Sequence, residues 1–215
     1  MTYQELQKKF KTFHYCDYSW RVDENNDFVI DFAFAAGEYE FSPRVRIKNI
    51  AGLEALATQA ANKPLIDSLV FNLGLIESFS YWKAFCCPKI VIEKGALSRS
   101  QAAFWKKLLL QGMGQYFYEN NIVDFSKKNF VDFSFSKGKS VPSKYLRTRN
   151  YLFGLGGGKD SAVGIEVFKK ASEDFSVLML NPIPSSLQMA KISGVQDQIV
   201  IERKICPKLL ELNQQ

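Results

Sequence analysis

Tyr151-Leu-Phe-Gly-Leu-Gly-Gly-Gly-Lys-Asp-Ser161 reads as a strand, a turn and the opening of a helix. Apolar residues lead up to Leu155, three consecutive glycines follow, and Lys159, Asp160 and Ser161 begin a helical pattern. Gly156, Gly157 and Gly158 carry no Cβ, so the backbone can turn sharply and bring its N–H groups close to an anion. The helix starts near Asp160, and its free N–H groups and positive dipole end point back at the same place. Lys159 adds a full positive charge and Ser161 a hydroxyl donor. The assembly is that of a phosphate-binding loop between a strand and a helix. The bland reading is a glycine-rich turn with no ligand, which would not require amides, helix terminus, lysine and hydroxyl to converge.

Two common phosphate loops are excluded. The nucleoside-triphosphatase pattern G-x-x-x-x-G-K-[S/T] fails because Phe153 stands at its first glycine and Asp160 at its hydroxyl residue. The dinucleotide fingerprint G-x-G-x-x-G, laid on Gly154 and Gly156, ends on Lys159 instead of glycine. The stretch instead resembles S-G-G-x-D-S, the pyrophosphate loop of ATP pyrophosphatases that adenylate a substrate. Gly157, Gly158, Lys159, Asp160 and Ser161 match it, and Gly156 replaces the usual serine. That departure removes one hydroxyl from the phosphate cradle and leaves the backbone donors.

Composition narrows the remaining classes. The chain has 215 residues, 47% of them hydrophobic, with 18 Phe, enough for one or two domains with real cores. No apolar run is long enough to span a bilayer. The N-terminal Met-Thr-Tyr-Gln-Glu-Leu-Gln-Lys-Lys lacks the apolar core of a signal peptide, so the expected location is the cytoplasm. Cys16, Cys86, Cys87 and Cys206 form no C-x-x-C pair and read as reduced thiols or core filler, not as a zinc site or a disulfide frame. His14 is the one histidine, which excludes a histidine-rich metal site within this chain. The net charge of +6 suits a polyphosphate ligand. Its basic residues are scattered and not clustered, which argues against nucleic acid as the partner.

Along the chain, residues 1–13 read as a short helix with Leu6, Phe10 and Phe13 on one side. A β-rich region follows. Phe28, Ile30, Phe32 and Phe34 alternate with Val29, Asp31 and Ala33, and turn signals flank Glu38–Phe41 and Arg44–Lys48; the pattern predicts an antiparallel meander with one buried face. Residues 62–85 switch to helical spacing, with Pro64 in the first turn and Leu65, Ile66, Leu69, Val70, Leu73 and Ile76 as the apolar arc. This helix ends in Ser78-Phe-Ser-Tyr-Trp-Lys-Ala-Phe-Cys-Cys-Pro88. The aromatic cluster closes a core or forms a binding wall, in which Tyr81 would stack or hydrogen-bond and Lys83 would meet an acidic substrate. Lys89–Glu93 reads as a strand. Ser98 and Gln101 have capping-box spacing before a helix to about Tyr118. Residues 124–144 read as a crossing segment or a loop over the nucleotide site, with the domain boundary there.

From Leu146 the pattern becomes α/β: strands at 151–155, 175–180 and 198–201, with a helix after the glycine turn and a short helix around 186–191. Asn181 falls beyond the carboxyl end of the second strand, the edge where parallel sheets bind ligands, and is a candidate nucleotide contact; turn formation explains it equally well. Three strands and two helices cannot cover both faces of a parallel sheet. The expected architecture is therefore α/β. A β-rich and helical N-terminal domain (1–145) precedes the start of a parallel-sheet, adenine-nucleotide alpha hydrolase-like (PP-loop) domain (146–215), truncated as the N-terminal portion of a longer enzyme or by a damaged reading frame.

Four stretches together resemble the ATP-dependent UDP-N-acetylmuramoyl-L-alanyl-L-glutamate epimerase family (MurL). They are Phe13-His-Tyr-Cys-Asp17, Ser80-Tyr-Trp-Lys-Ala-Phe85 with Pro88, Gly156-Gly-Gly-Lys-Asp-Ser161, and Ile201-Glu-Arg-Lys with Leu209-Leu-Glu-Leu-Asn213. The resemblance runs along the whole chain. It implies a role in making a peptidoglycan precursor, by inverting the terminal L-Glu of UDP-MurNAc-L-Ala-L-Glu to D-Glu with ATP and Mg²⁺. In that expectation Gly156, Gly157, Gly158, Lys159, Ser161 and Asn181 bind the nucleotide, and Lys159 and Asp160 are catalytic. Asp160 either caps the helix or places Mg²⁺, and Tyr81 and Lys83 contact the UDP-muramoyl dipeptide. Two rivals are an adenylating pyrophosphatase that modifies a tRNA base or a small molecule, and a nucleotide-binding module without catalysis.

Overall fold

The computed structural model describes residues 1–48, 52, 55, 57, 59–127, 129–137, 151–171 and 173–212. The expected domain boundary at 145/146, with Gly138 and Pro142, lies outside the described residues. A nine-stranded mixed sheet runs through the described residues. Helix α1 (Tyr3–Lys9) leads into β1 (Thr12–Val22), β2 (Phe28–Ala36), β3 (Tyr39–Phe41) and β4 (Arg44–Ile47). Helix α2 (Lys63–Trp82), β5 (Lys89–Leu97), α3 (Arg99–Gly112), α4 (Gly114–Glu119) and β6 (Asp132–Lys137) follow. The last part is β7 (Tyr151–Gly154), α5 (Lys159–Lys170), β8 (Phe175–Leu180), α6 (Pro184–Ser193), β9 (Gln198–Lys204) and α7 (Pro207–Leu212). The strand order is β6-β5-β1-β2-β4-β9-β8-β7, with β3 also on β2.

Two parallel blocks flank an antiparallel centre. β5 pairs in parallel with β1 and β6, and β8 pairs in parallel with β7 and β9. Between them β1, β2, β4 and β9 are antiparallel neighbours. The pairing of Arg44 with Lys204 through Ile47 with Ile201 carries the sheet from the first half of the chain into the second.

Several expectations change. The first helix starts from a Thr2/Glu5 capping box and stops at Lys9, and Phe13 is a strand residue. Its alternation with Tyr15, both fully buried, outweighs its helical spacing from Phe10. The meander is a hairpin with an interrupted return strand, because β3 and β4 both pair with β2. Pro43 lies at the break; it has no N–H to give, but its carbonyl accepts from Phe32 N–H at 3.1 Å. Residues 132–137, expected in a loop, form the parallel edge strand β6. The helix expected to run to Tyr118 divides at Met113 into α3 and α4.

The centre of the sheet has two unlike faces. Phe13, Tyr15, Phe32, Phe34 and Phe41 are buried in one aromatic cluster with Phe71, Phe79 and Tyr81 of α2. Tyr15 stacks on Phe71 at 5.8 Å, and Phe34 lies 5.3 Å from Tyr81. The residues between them carry ion pairs: Arg21 and Arg44 on Asp31, Arg46 on Asp23 and Asp27, Lys94 on Asp17. His14 lies between Glu93 (2.6 Å) and Thr12 (2.9 Å). This is the period-2 division of an amphipathic sheet.

Helix α2 presents a different arc from the expected one. Leu69 and Ile76 are exposed, while Val70, Phe71, Gly74, Leu75, Ser78, Phe79 and Trp82 are buried. The small residues explain the choice. A Cβ at Gly74 would lie 1.9 Å from the Tyr15 hydroxyl and 2.8 Å from Phe32, so only glycine permits this approach to the sheet. Gly74→Ala is expected to cost about 1–3 kcal/mol by overpacking, measurable as a lower urea midpoint at unchanged slope. An unchanged midpoint would contradict the packing described.

Burial also shapes the thiols. It pushes Cys86 up to about 11 and Cys87 up to about 12, so both stay protonated. All four cysteines are free. No helix among the described residues is long and apolar enough to cross a membrane.

Candidate functional site

β7, β8 and β9 run parallel, joined by crossover helices α5 and α6. Their carboxyl ends therefore lie on one edge of the sheet, with the glycine turn after β7 and Asn181 after β8. Leu155, Ile165, Val177, Met179 and Ala190 form the small core under the helices. Leu155 N–H donates to the Leu178 carbonyl at 2.8 Å, which anchors the turn to the strand end.

The turn itself is held by Ser161, whose hydroxyl accepts from Gly156 N–H at 3.1 Å. Accepting this bond leaves the Ser161 hydroxyl proton free to be donated. Gly157 has φ +85°, a conformation costly for any residue with a side chain. A Cβ there would meet Ser186 N at 2.6 Å and Ser185 Oγ at 2.7 Å, so the turn lies directly against the start of α6. Gly158 is the N-cap of α5 and makes no side-chain capping bond. Its carbonyl accepts from Ser161 and Ala162 N–H. The amides of Gly157, Gly158, Lys159 and Asp160 make no hydrogen bond among the described residues, so they remain available to an anion at the helix terminus.

Lys159 and Asp160 are both exposed in the first turn of α5. Asp160 does not act as the N-cap, since Gly158 holds that position. No group of three or more His, Cys, Asp or Glu among the described residues is placed to hold a metal ion. Asp160 supplies one exposed carboxylate beside unbonded backbone amides, which fits an ion such as Mg²⁺ that binds through one or two carboxylates, waters and phosphate oxygens.

Asn181 lies on the expected edge, with φ +45°. Its side chain is already engaged: Nδ2 donates to the Arg203 carbonyl at 3.0 Å, and Oδ1 accepts from Arg203 N–H at 2.7 Å. It clamps the end of β8 to β9. Tyr81 is fully buried, 5.1 Å from Phe41, and its hydroxyl accepts from Cys206 N–H at 3.0 Å. Desolvation raises its phenol to about 12. Lys83, at the end of the same helix, is exposed.

Sequence reading missed Arg203 and Glu77. Arg203 Nε donates to both Glu77 carboxylate oxygens (3.0 and 2.8 Å), and Nη2 donates to Ser80 Oγ at 3.0 Å. Glu77, Ser80 and Tyr81 share one face of α2 by their i, i+3, i+4 spacing. They hold the end of β9 through Arg203 and Cys206. The stretches Ser80–Phe85 and Ile201–Lys204 thus meet in space. The available signal was a charged residue, Glu77, within the largely apolar second half of the helix, residues 73–82.

The sequence matches the MurL N-terminal domain over residues 4–215. It is 30% identical over 159 residues to the UDP-N-acetyl-alpha-D-muramoyl-L-alanyl-L-glutamate epimerase of Xanthomonas oryzae pv. oryzae, covering 74% of this chain and 35% of that protein. A protein of the same name from a Micromonospora species is 24% identical over 169 residues, covering 74% of this chain and 37% of its own length. The chain thus spans about a third of the length of these curated relatives. No solved structure matches it.

Proposed function

We propose, because the chain belongs to the MurL family, that it is the N-terminal part of an enzyme that epimerises the terminal L-Glu of UDP-MurNAc-L-Ala-L-Glu to D-Glu, in peptidoglycan precursor synthesis. ATP drives the reaction by adenylating the glutamate carboxylate. The observation that carries this reading is the glycine turn between β7 and α5, with its unbonded amides at the helix N-terminus. The names of the relatives supply the substrate.

Chemistry gives a reason for ATP. Removing the α-hydrogen of glutamate beside a carboxylate would place two negative charges together. Attack of the carboxylate on the α-phosphorus of ATP expels pyrophosphate and leaves an acyl adenylate, whose acyl carbon no longer bears a carboxylate charge. Its α-hydrogen is far more acidic, because the carbanion delocalises as an enolate. A base removes the proton, a proton returns to the other face, and water releases AMP and the inverted acid.

In this reading the amides of Gly157 and Gly158 and the hydroxyl of Ser161 hold the β- and γ-phosphates. Gly156 N–H keeps Ser161 in place. Lys159 neutralises charge that develops on departing pyrophosphate. Asp160 is the residue that would hold Mg²⁺, whose contribution is to offset phosphate charge. Asn181 acts by fixing the β8–β9 edge, since both its amide atoms are bonded to Arg203. Tyr81 likewise acts by position, holding Cys206 from within the core. Use of ATP carries a cytoplasmic location with it.

The test is hydrogen exchange at the glutamate α-carbon. The native-length protein is incubated in D₂O with ATP, Mg²⁺ and UDP-MurNAc-L-Ala-L-Glu. Deuterium at the α-carbon and appearance of D-Glu, both dependent on ATP, are expected. ATP binding without exchange would overturn the epimerase reading and favour another adenylated acceptor or a binding module.

A further inference from the structure

The end of α2, the end of β9, α4 and α7 surround a cleft of about 490 Å³. Ser80, Lys83, Tyr116, Asn120, Arg203 and Leu209 are among its lining residues. Its polar groups are held before any ligand arrives. The buried carboxylate of Glu77 and the Ser80 hydroxyl orient the Arg203 guanidinium. The bonds from Asn181 fix the Arg203 backbone. The Tyr116 hydroxyl donates to the Lys83 carbonyl at 2.8 Å and fixes the backbone from which that side chain projects.

Charge separates the two cations. Arg203 is paired with Glu77, whereas Lys83 has no ion-pair partner among the described residues. A concave site with one free ammonium, a preorganised guanidinium and adjacent hydroxyl and amide groups has the make-up of an anion site. Its position is equally specific. Arg203 is on β9, two strands from β7 and about 10 Å across the sheet, and it lies four residues beyond Ile199, the β9 residue level with Gly154, on the face that packs on α2.

We propose that this cleft is a substrate subsite for an anionic oxygen group, with Lys83 as the direct contact and Arg203 as the second. The inference rests on the epimerase reading and deepens it. The substrate offers two such groups, the side-chain carboxylate of glutamate and the diphosphate of the uridine nucleotide. The rim is formed by both halves of the chain, so substrate binding there holds the end of α2 against the end of β9.

The experiment uses the native-length protein and Lys83→Met, with Lys83→Arg as the conservative variant. Lys83→Met is expected to raise the KM for UDP-MurNAc-L-Ala-L-Glu by about tenfold or more, with ATP affinity unchanged and Lys83→Arg recovering most of the loss. Two competitors locate the anion. If Lys83→Met weakens UDP-MurNAc-L-Ala, the diphosphate occupies the cleft; if it weakens MurNAc-L-Ala-L-Glu, the glutamate carboxylate does. Unchanged KM and unchanged affinity for both competitors, with turnover intact, would overturn the subsite and leave the epimerase reading standing. No substrate-dependent turnover in the unsubstituted protein would overturn both.

Discussion

Replacing Lys159 by alanine is expected to lower substrate-dependent pyrophosphate release by about 10²–10³-fold. The lysine is exposed at the first turn of α5 and makes no ion pair among the described residues. Its loss therefore leaves the fold intact, with stability changed by no more than about 0.5 kcal/mol. What is lost is a positive charge beside the amides of Gly157 and Gly158. In the proposed mechanism that charge matters most as pyrophosphate departs, so the decrease belongs in kcat more than in the KM for the dipeptide. Steady-state kinetics beside a thermal melt separate the two. Unchanged turnover with an unchanged melt would remove the loop lysine from the mechanism.

The second large effect concerns stability. Glu77→Ala is expected to destabilise the chain by about 3 kcal/mol, because it strands the Arg203 guanidinium without its carboxylate. Glu77 is 6% exposed and accepts two contacts from Arg203 Nε. For a chain of this size the loss corresponds to a fall in melting temperature of roughly 6–12 °C. The Glu77→Ala, Arg203→Met pair should recover part of it, since no charge is then left unpaired. A single variant that melts like the unsubstituted chain would show that the pair does not hold α2 to β9.

These two sites differ in how visible they are from sequence. The glycine turn is legible because its constraints are local. A strand, a run without Cβ atoms, and a helix start within a few residues have one geometry. The central hairpin is legible for the same reason, since Phe28 to Phe34 alternate with period 2. The Arg203–Glu77 bond joins residues 126 positions apart, and no periodicity encodes that. β6 was hidden by its Ser and Lys content, although Phe133 and Phe135 alternate correctly. As an edge strand it has one neighbour and needs a weaker apolar pattern. The arc of α2 was misassigned because leucine and isoleucine occupy several of its faces. The small residue Gly74 sets the buried side, by allowing Tyr15 to approach the helix. Tyr81 was visible as an aromatic in a distinctive cluster; its hydroxyl bond to Cys206 depends on β9 arriving beside α2.

The continuity of the sheet bears on function as well. β4 and β9 bond along four residue pairs, so the strands that carry the glycine turn extend the same sheet that packs on α2. The Lys83 cleft, beside the end of β9, and the turn, after β7, are both positioned by the same strand order.

Pyrophosphate release from ATP and Mg²⁺, assayed with the native-length protein in the presence and absence of UDP-MurNAc-L-Ala-L-Glu, tests the account most directly. Release that requires the dipeptide substrate, and that falls with Lys159→Ala, is the expected result. ATP bound at the loop with no pyrophosphate released under this substrate would contradict it.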